Sequence, residues 1–312
     1  MDSVRIAAEA VTPLSLTILA GIIIRRLKWL NPEIINGLDR INFRLLLPLL
    51  MFSSMYSSDF RSDFSSRFLI FVIGVFAFEI ILWLLVVPIF EKEPKKQGTL
   101  IQAMFRSNTN VIGTAVISQL YNGQHIGLLG VSMLGAVPLP QIFGIVALER
   151  CCNKSADKRT LVINILKNPM IIGTILSIIV ILFEIELPHG IESTIKSLSG
   201  AATPLSLISL GASLEFPAFR NNIKDLILGT IGKAIVHPLL ILPPAVYLGF
   251  RGPQLATIMI VANAPVGISV FSVTKQMGGD EQLAAQLIVV TTVLSIFGIF
   301  LSTFLLSFFE LI

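Results

Sequence analysis

Two short stretches carry the residue types best suited to hold a ligand inside an otherwise apolar chain. The first is RSNTNVIGTA (106–115) and the second is ANAPVGIS (262–269). Asparagine puts a donor and an acceptor on one short side chain, so Asn108, Asn110 and Asn263 can bond either freed backbone or a ligand. Pro265 removes a backbone donor and crowds the turn before it. Gly113 and Gly267 permit local unwinding or close approach of another backbone. A lone asparagine in a membrane helix more often joins helices than holds ligand. Two such breaks in one chain shift the balance toward a site.

Three charges share this apolar context: Glu79, Arg106 and Lys233. At bilayer depth each needs a partner or water. One reading pairs Glu79 with Lys233 or Arg106. The other makes a positive site for an organic anion, with Glu79 or another group coupling to a cation; two positive charges against one negative leave an excess that a carboxylate neutralises. His237 reads as a packed, hydrogen-bonded residue rather than a proton relay. Ser53, Ser54, Ser206 and Ser209 read as partners of local carbonyls. Cys151 and Cys152 are adjacent, and no Cys/His spacing suggests a metal. No paired nucleophile and base is present, which argues against an enzyme and against a resident cofactor or metal.

The elements that must position these groups follow from composition. Of 312 residues, 54% are hydrophobic and 13% charged, and mean hydropathy is +0.83. That balance fits a polytopic membrane protein. Apolar runs give ten expected spans at 7–25, 36–56, 66–90, 98–121, 125–149, 167–186, 191–214, 222–249, 253–275 and 281–309, all helical. The first is read as retained rather than cleaved, since its apolar run ends in Arg25, Arg26 and Lys28. Fourteen basic residues flank one set of loops and four the other, placing the first set inside the cell and both termini outside. The formal charge of +4 therefore reports topology and not nucleic-acid binding.

Pro13, Pro32, Pro48 and Pro88 each have a counterpart 156 residues on, at Pro169, Pro188, Pro204 and Pro244. LPLLMFSSMYSSDF (47–60) lies over TPLSLISLGASLEF (203–216) in the same register. Five spans per half is an odd number, so the halves run oppositely across the membrane. The expected organisation is a first five-helix repeat at 1–149, a connecting loop at 150–166 and an inverted repeat at 167–312. This is the plan of many secondary transporters, with substrate at the midplane between broken helices of spans four and nine.

NTNVIGTA, APVGISVFSVTKQMGGD (264–280), PLSLISLGASLEF (204–216) and TTVLS (291–295) resemble, in order and spacing, the auxin efflux carrier family, which includes plant carriers and bacterial malate or malonate permeases. The likeness extends along essentially the whole chain. The family's span-four pattern is N-x-x-x-x-G-x-P; Asn108 and Gly113 match it, and Ala115 stands where the proline would be. The resemblance implies a fold like that of bile-acid/sodium symporters, with one helix group as scaffold, often in a homodimer, and the other moving substrate as an elevator. It implies that Asn108 contacts substrate and that Gly113 and Pro265 shape the crossing, with Gly113 and Thr114 giving span four a softer break. Only about 17 polar residues separate the halves, which favours a compact bacterial-type permease of the cell membrane. The expected cargo is a small organic anion, with H+ or Na+ as coupling ion. A sodium symporter of bulkier acids and a non-transporting ligand sensor are the alternatives.

Overall fold

In the computed structural model the helices begin where the chain supplies caps. The structure describes residues 2–29, 31–56, 64–109, 113, 116–117, 120–121, 124–153, 158–214 and 221–312, with side chains for all of these except 2–11, 126, 158 and 161. Asn31 accepts the Ile34 N–H ahead of α2 (Pro32–Ile41), Ser65 caps α4 (Ser66–Phe90), and Asn168 caps α9 (Pro169–Leu182). Proline occupies the first helical positions of α2 and α9, where a missing N–H costs nothing. The remaining helices are α1 (Asp2–Arg26), α3 (Leu47–Tyr56), α5 (Pro94–Phe105), α6 (Ile126–Ala136), α7 (Pro138–Cys152), α8 (Lys158–Leu166) and α10 (His189–Ser213). They are followed by α11 (Ile223–Ile231), α12 (His237–Tyr247), α13 (Gly252–Asn263), α14 (Ser269–Gln276) and α15 (Glu281–Phe308). The segment expected to be a connecting loop thus contains helix α8.

Two π-helical turns, Asn42–Leu46 and Gly232–Val236, join α2 to α3 and α11 to α12. Each precedes a proline by two residues, Pro48 and Pro238. A proline crowds the carbonyl four residues back, which here falls inside each π turn, and widening the helix relieves that clash.

Among the described residues, Ser66–Phe90, Gly127–Cys152, Ile223–Tyr247 and Glu281–Phe308 are long and apolar enough to cross a bilayer, and Pro169–Leu182 is a shorter apolar helix. Their outward faces are apolar as well. On α15 Val293, Phe297, Leu301, Phe304 and Phe308 follow one another at helical spacing and are all exposed; on α4 Phe78, Ile81, Leu85 and Ile89 do the same. Continuous stripes of this kind belong against lipid. The chain is a multi-pass membrane protein built from helices.

Corresponding elements in the two halves start at nearly constant separation: Pro32 and His189, Ser66 and Ile223, Pro94 and Gly252 lie 157 or 158 residues apart. The first helix of each half packs on the second span of the other, α1 on α10 and α9 on α3. At both contacts glycine lets backbones touch. A Cβ on Gly211 would stand 2.1 Å from the Ile18 carbonyl oxygen, and one on Gly173 would stand 2.6 Å from that of Pro48. With α2, these four helices form one group, and α4–α7 and α11–α15 form a second, against which α1 also packs through α15. One tie between the groups is an ion pair from Lys275 on α14 to Asp39 on α2, 2.8 Å long.

Candidate functional site

Helix α13 ends where proline demands it. Ala264, immediately before Pro265, is extended at φ −64°, ψ 135°, as the Pro265 ring requires of its neighbour. Helix α5 ends without a proline at Arg106, φ −85°, ψ 115°, where Ser107, Asn108 and Thr109 favour helix ends over helix interiors. The two extended stretches then pair. Ser107 and Val266 form an antiparallel bridge; the Asn108 N–H donates to Pro265 O at 2.9 Å, and the Gly267 N–H donates to Arg106 O at 2.9 Å. Backbone groups released by each break are thereby satisfied by the other, which lipid could not do.

Lys233 completes the junction. In an unbroken helix the Met104 carbonyl would accept the Asn108 N–H. That N–H is turned to Pro265, and the Lys233 ammonium takes its place, donating to Met104 O at 3.3 Å and to Ser107 Oγ. A cation at a helix C-terminus also complements the helix dipole. Thr291 of α15 supports the other break by accepting the Val266 N–H at 3.1 Å.

Arg106 is buried, 5% exposed. Its guanidinium donates to Gln102 Oε1 at 2.9 Å, Gln141 Oε1 at 2.6 Å and Ser269 Oγ at 2.8 Å. All three acceptors are neutral. Among the described residues neither Arg106 nor Lys233 lies within ion-pair distance of a carboxylate. The pairing of Glu79 with Lys233 or Arg106 is therefore not realised. Glu79 Oε1 instead meets His237 Nδ1 at 2.5 Å, with both side chains fully buried. His237 sits just past the π turn that carries Lys233, and that turn sends the two side chains to different partners.

We predict that Glu79→Ala, which strands the imidazole, lowers stability by about 2–3 kcal/mol. Thermal unfolding of the purified protein measures this. The Glu79→Ala/His237→Ala double variant should lose clearly less than the two single losses combined.

Beside the paired breaks lies a cavity of about 90 Å³ between the two helix groups. Its polar wall is Ser54, Ser107, Asn108, Thr109, Thr203, Ser206 and Ser269; Leu47, Leu50, Met51, Met133 and Ile268 are on its apolar side. Among the described residues no acidic side chain lines it. The Nδ2 group of Asn108 is buried and has no hydrogen-bond partner among the described residues, and the same is true of Thr109 Oγ1. A buried donor left without a protein partner beside a cavity is a candidate ligand contact. Helix α14 begins at Ser269 on the cavity wall, so the positive end of its dipole lies there too. A larger cavity, about 520 Å³, lies farther along the seam between the groups and is lined by Arg25, Lys28, Lys275 and Glu281 among others.

Of the residues expected at the site, Asn108 and Gly267 reach the cavity wall, and Pro265 shapes the break beside it. Asn263 does not reach it. Its Nδ2 donates to Met259 O at 2.9 Å and Ser302 Oγ at 3.0 Å, tying α13 to α15, and it borders a separate small cavity with Lys233 and Pro265. Gly113 is buried and helical, with space for no side chain between Leu129 and Ile260; the break lies earlier, at 106–108. Asn110, Thr114 and Ala115 lie outside the described residues. Ser206 accepts from Asn42 Nδ2 at 2.6 Å instead of serving a local carbonyl. Gln102 and Gln141 were not anticipated; lone amides inside apolar runs were their signal.

A helical membrane protein with two broken helices paired around a donor-lined cavity is built like a carrier. The chain belongs to the membrane transport protein family, which matches residues 6–158 and 153–302, in agreement with the auxin efflux carrier resemblance. That membership sets it among transport proteins and not among enzymes. It is 27% identical over 220 residues to an "Uncharacterized transporter" of Methanocaldococcus jannaschii, covering 70% of this chain and 71% of that one. It is 32% identical over 111 residues to an "Uncharacterized transporter" of Methanothermobacter thermautotrophicus, covering 35% of this chain and 37% of the relative. A "Putative malonate transporter" of Rhizobium meliloti is 24% identical over 191 residues, with 56% and 60% covered.

Proposed function

We propose that this protein is a secondary carrier of small organic anions, binding them in the cavity beside the paired breaks. The observation that carries this reading is the cavity's polarity: among the described residues it offers donors and no carboxylate, and behind it stand two buried cations, neither in a direct ion pair. An anion would supply the missing negative charge. Size points the same way. About 90 Å³ is space for only a few waters, which suits a short mono- or dicarboxylate such as malonate or malate better than a steroid-sized acid. The malonate name of one relative agrees with that class.

Ten spans in two inverted repeats are the topology that best accounts for the constant separation of corresponding helices, the reciprocal packing of α1 on α10 and α9 on α3, and the antiparallel pairing of the breaks. Both termini then lie outside the cell. The cavity lies between two helix groups, so sliding one group against the other would expose it to each side in turn, an elevator motion. Coupling to H+ or Na+ is part of the proposal to be measured.

Purified protein in liposomes should accumulate labelled malonate, malate or indole-3-acetate under an imposed proton, sodium or voltage gradient. If none of these moves above protein-free liposomes under any of the gradients, the proposal is wrong.

A further inference from the structure

Neither buried cation lines the cavity directly; each ends on a serine hydroxyl that does. Arg106 Nη2 donates to Ser269 Oγ at 2.8 Å, and Lys233 Nζ donates to Ser107 Oγ. Both serines are on the cavity wall, one from each of the two paired chain segments. We propose that Ser107 and Ser269 are the specificity-determining contacts for an anionic carboxylate, and that Lys233 and Arg106 are positioning residues that act through them. The inference rests on the anion-carrier reading above and assigns how that charge is read.

The argument is one of hydrogen-bond direction. A hydroxyl has one hydrogen and two lone pairs. When a cation donates to the oxygen, the hydroxyl hydrogen must point elsewhere, and its O–H bond is polarised into a stronger donor. Neither Ser107 nor Ser269 donates to a protein acceptor among the described residues. Each therefore has a hydrogen available for a ligand, and the ligand best served is an anion. With Asn108 Nδ2, which also lacks a partner, three donors come to one wall from two chain segments. A carboxylate has about four lone-pair sites and can accept all three.

The arrangement also explains why the cations stand one residue back. An ammonium or guanidinium in direct contact would hold the carboxylate tightly and slow its release. A hydroxyl between them keeps part of the attraction while the cation stays anchored to α5, through Met104 O for Lys233 and Gln102 for Arg106. The same cations thereby hold the broken end of α5 and set the direction of the two hydroxyls.

The test is equilibrium binding of radiolabelled malonate to the full-length purified protein. Ser107→Ala and Ser269→Ala should each weaken binding about tenfold or more, while Ser107→Thr and Ser269→Thr, which keep the hydroxyl, should stay within about threefold. Without malonate the two threonine variants should melt with the parent, while each alanine variant, which takes one acceptor from a buried cation, should melt lower; binding is therefore compared at a temperature where all four are folded. Arg106→Gln should weaken binding about tenfold alone, yet add less than about twofold on the Ser269→Ala background. A purely structural role for Arg106 would weaken both backgrounds equally. Should Arg106→Gln not fold, the alanine and threonine variants decide alone. Alanine variants that bind like the parent, or Arg106 and Ser269 effects that multiply independently, overturn the inference and leave the carrier reading standing. A parent protein that binds no malonate, malate or indole-3-acetate overturns both.

Discussion

Asn108→Ala abolishes uptake of the transported anion while the protein still folds and inserts. The expected loss is ten- to a hundredfold, because a hydrogen bond to a charged acceptor is worth about 1.5–3 kcal/mol. Most residues near a junction of broken helices would fail this way by unfolding it, and Asn108 is different for a specific reason. The junction is held by its backbone N–H, which donates to Pro265 O, and alanine keeps that group. Its side-chain Nδ2 has no hydrogen-bond partner among the described residues, so removing it takes no hydrogen bond from them. Uptake into liposomes paired with the melting temperature reads the two properties separately. Asn108→Asp is the sharper companion: it puts an acceptor and a negative charge on the wall, and should exclude anions even more completely. Normal uptake by Asn108→Ala at unchanged stability would remove Asn108 from the site.

Among the described glycines, Gly211→Ala should be the most damaging added methyl. The new Cβ would lie 2.1 Å from the Ile18 carbonyl oxygen and 3.2 Å from the Gly21 Cα. The obstacles are backbone atoms of α1, so no rotamer change relieves the clash and the two helices must separate. Overpacking costs about 1–3 kcal/mol even where side chains can give way, so a loss of at least about 3 kcal/mol is expected here, seen as a lower melting temperature and a smaller monodisperse yield. Small residues that let helices touch are a general means of holding membrane helices together, where the hydrophobic effect offers little. Gly37 in α2 is the control, since a Cβ there meets nothing within 4 Å. Gly37→Ala should leave stability unchanged or raise it by up to about 1 kcal/mol. Equal melting temperatures for Gly211→Ala and the parent would mean that α1 and α10 do not cross as closely as described.

How much could be read without coordinates differs from residue to residue. Helical membrane architecture follows from composition, because lipid leaves a chain with this hydropathy little alternative to helices. The break at Pro265 was equally legible, since proline acts on its own neighbour through covalent geometry. In the first half the break seen among the described residues lies at the start of the expected 106–115 stretch, at 106–108. Gly113 looked like the weak point, but a glycine in a helix is only permissive, and packing against Leu129 and Ile260 uses its small size while keeping it helical. What ends α5 is the offer of new partners at 106–108, from Pro265, Gly267 and Lys233, all more than a hundred residues away.

The same limit applies to the charges. Their presence inside apolar runs was plain, as was the excess of positive over negative. Who partners whom was not. Glu79 meets His237, Arg106 meets two glutamines and a serine, and Lys233 caps a carbonyl, because π turns and helix crossings rotate side chains by angles that linear spacing does not encode. By itself, then, the sequence determined what acts through neighbouring residues and solvent: helices in a membrane, the Pro265 break and the family. Only the tertiary structure decided what depends on distant groups meeting: the paired breaks, the partners of the buried charges, and which asparagine keeps a free donor at the cavity. Asn263 and Asn108 are alike as letters; the first is bonded to Met259 and Ser302, and the second is not.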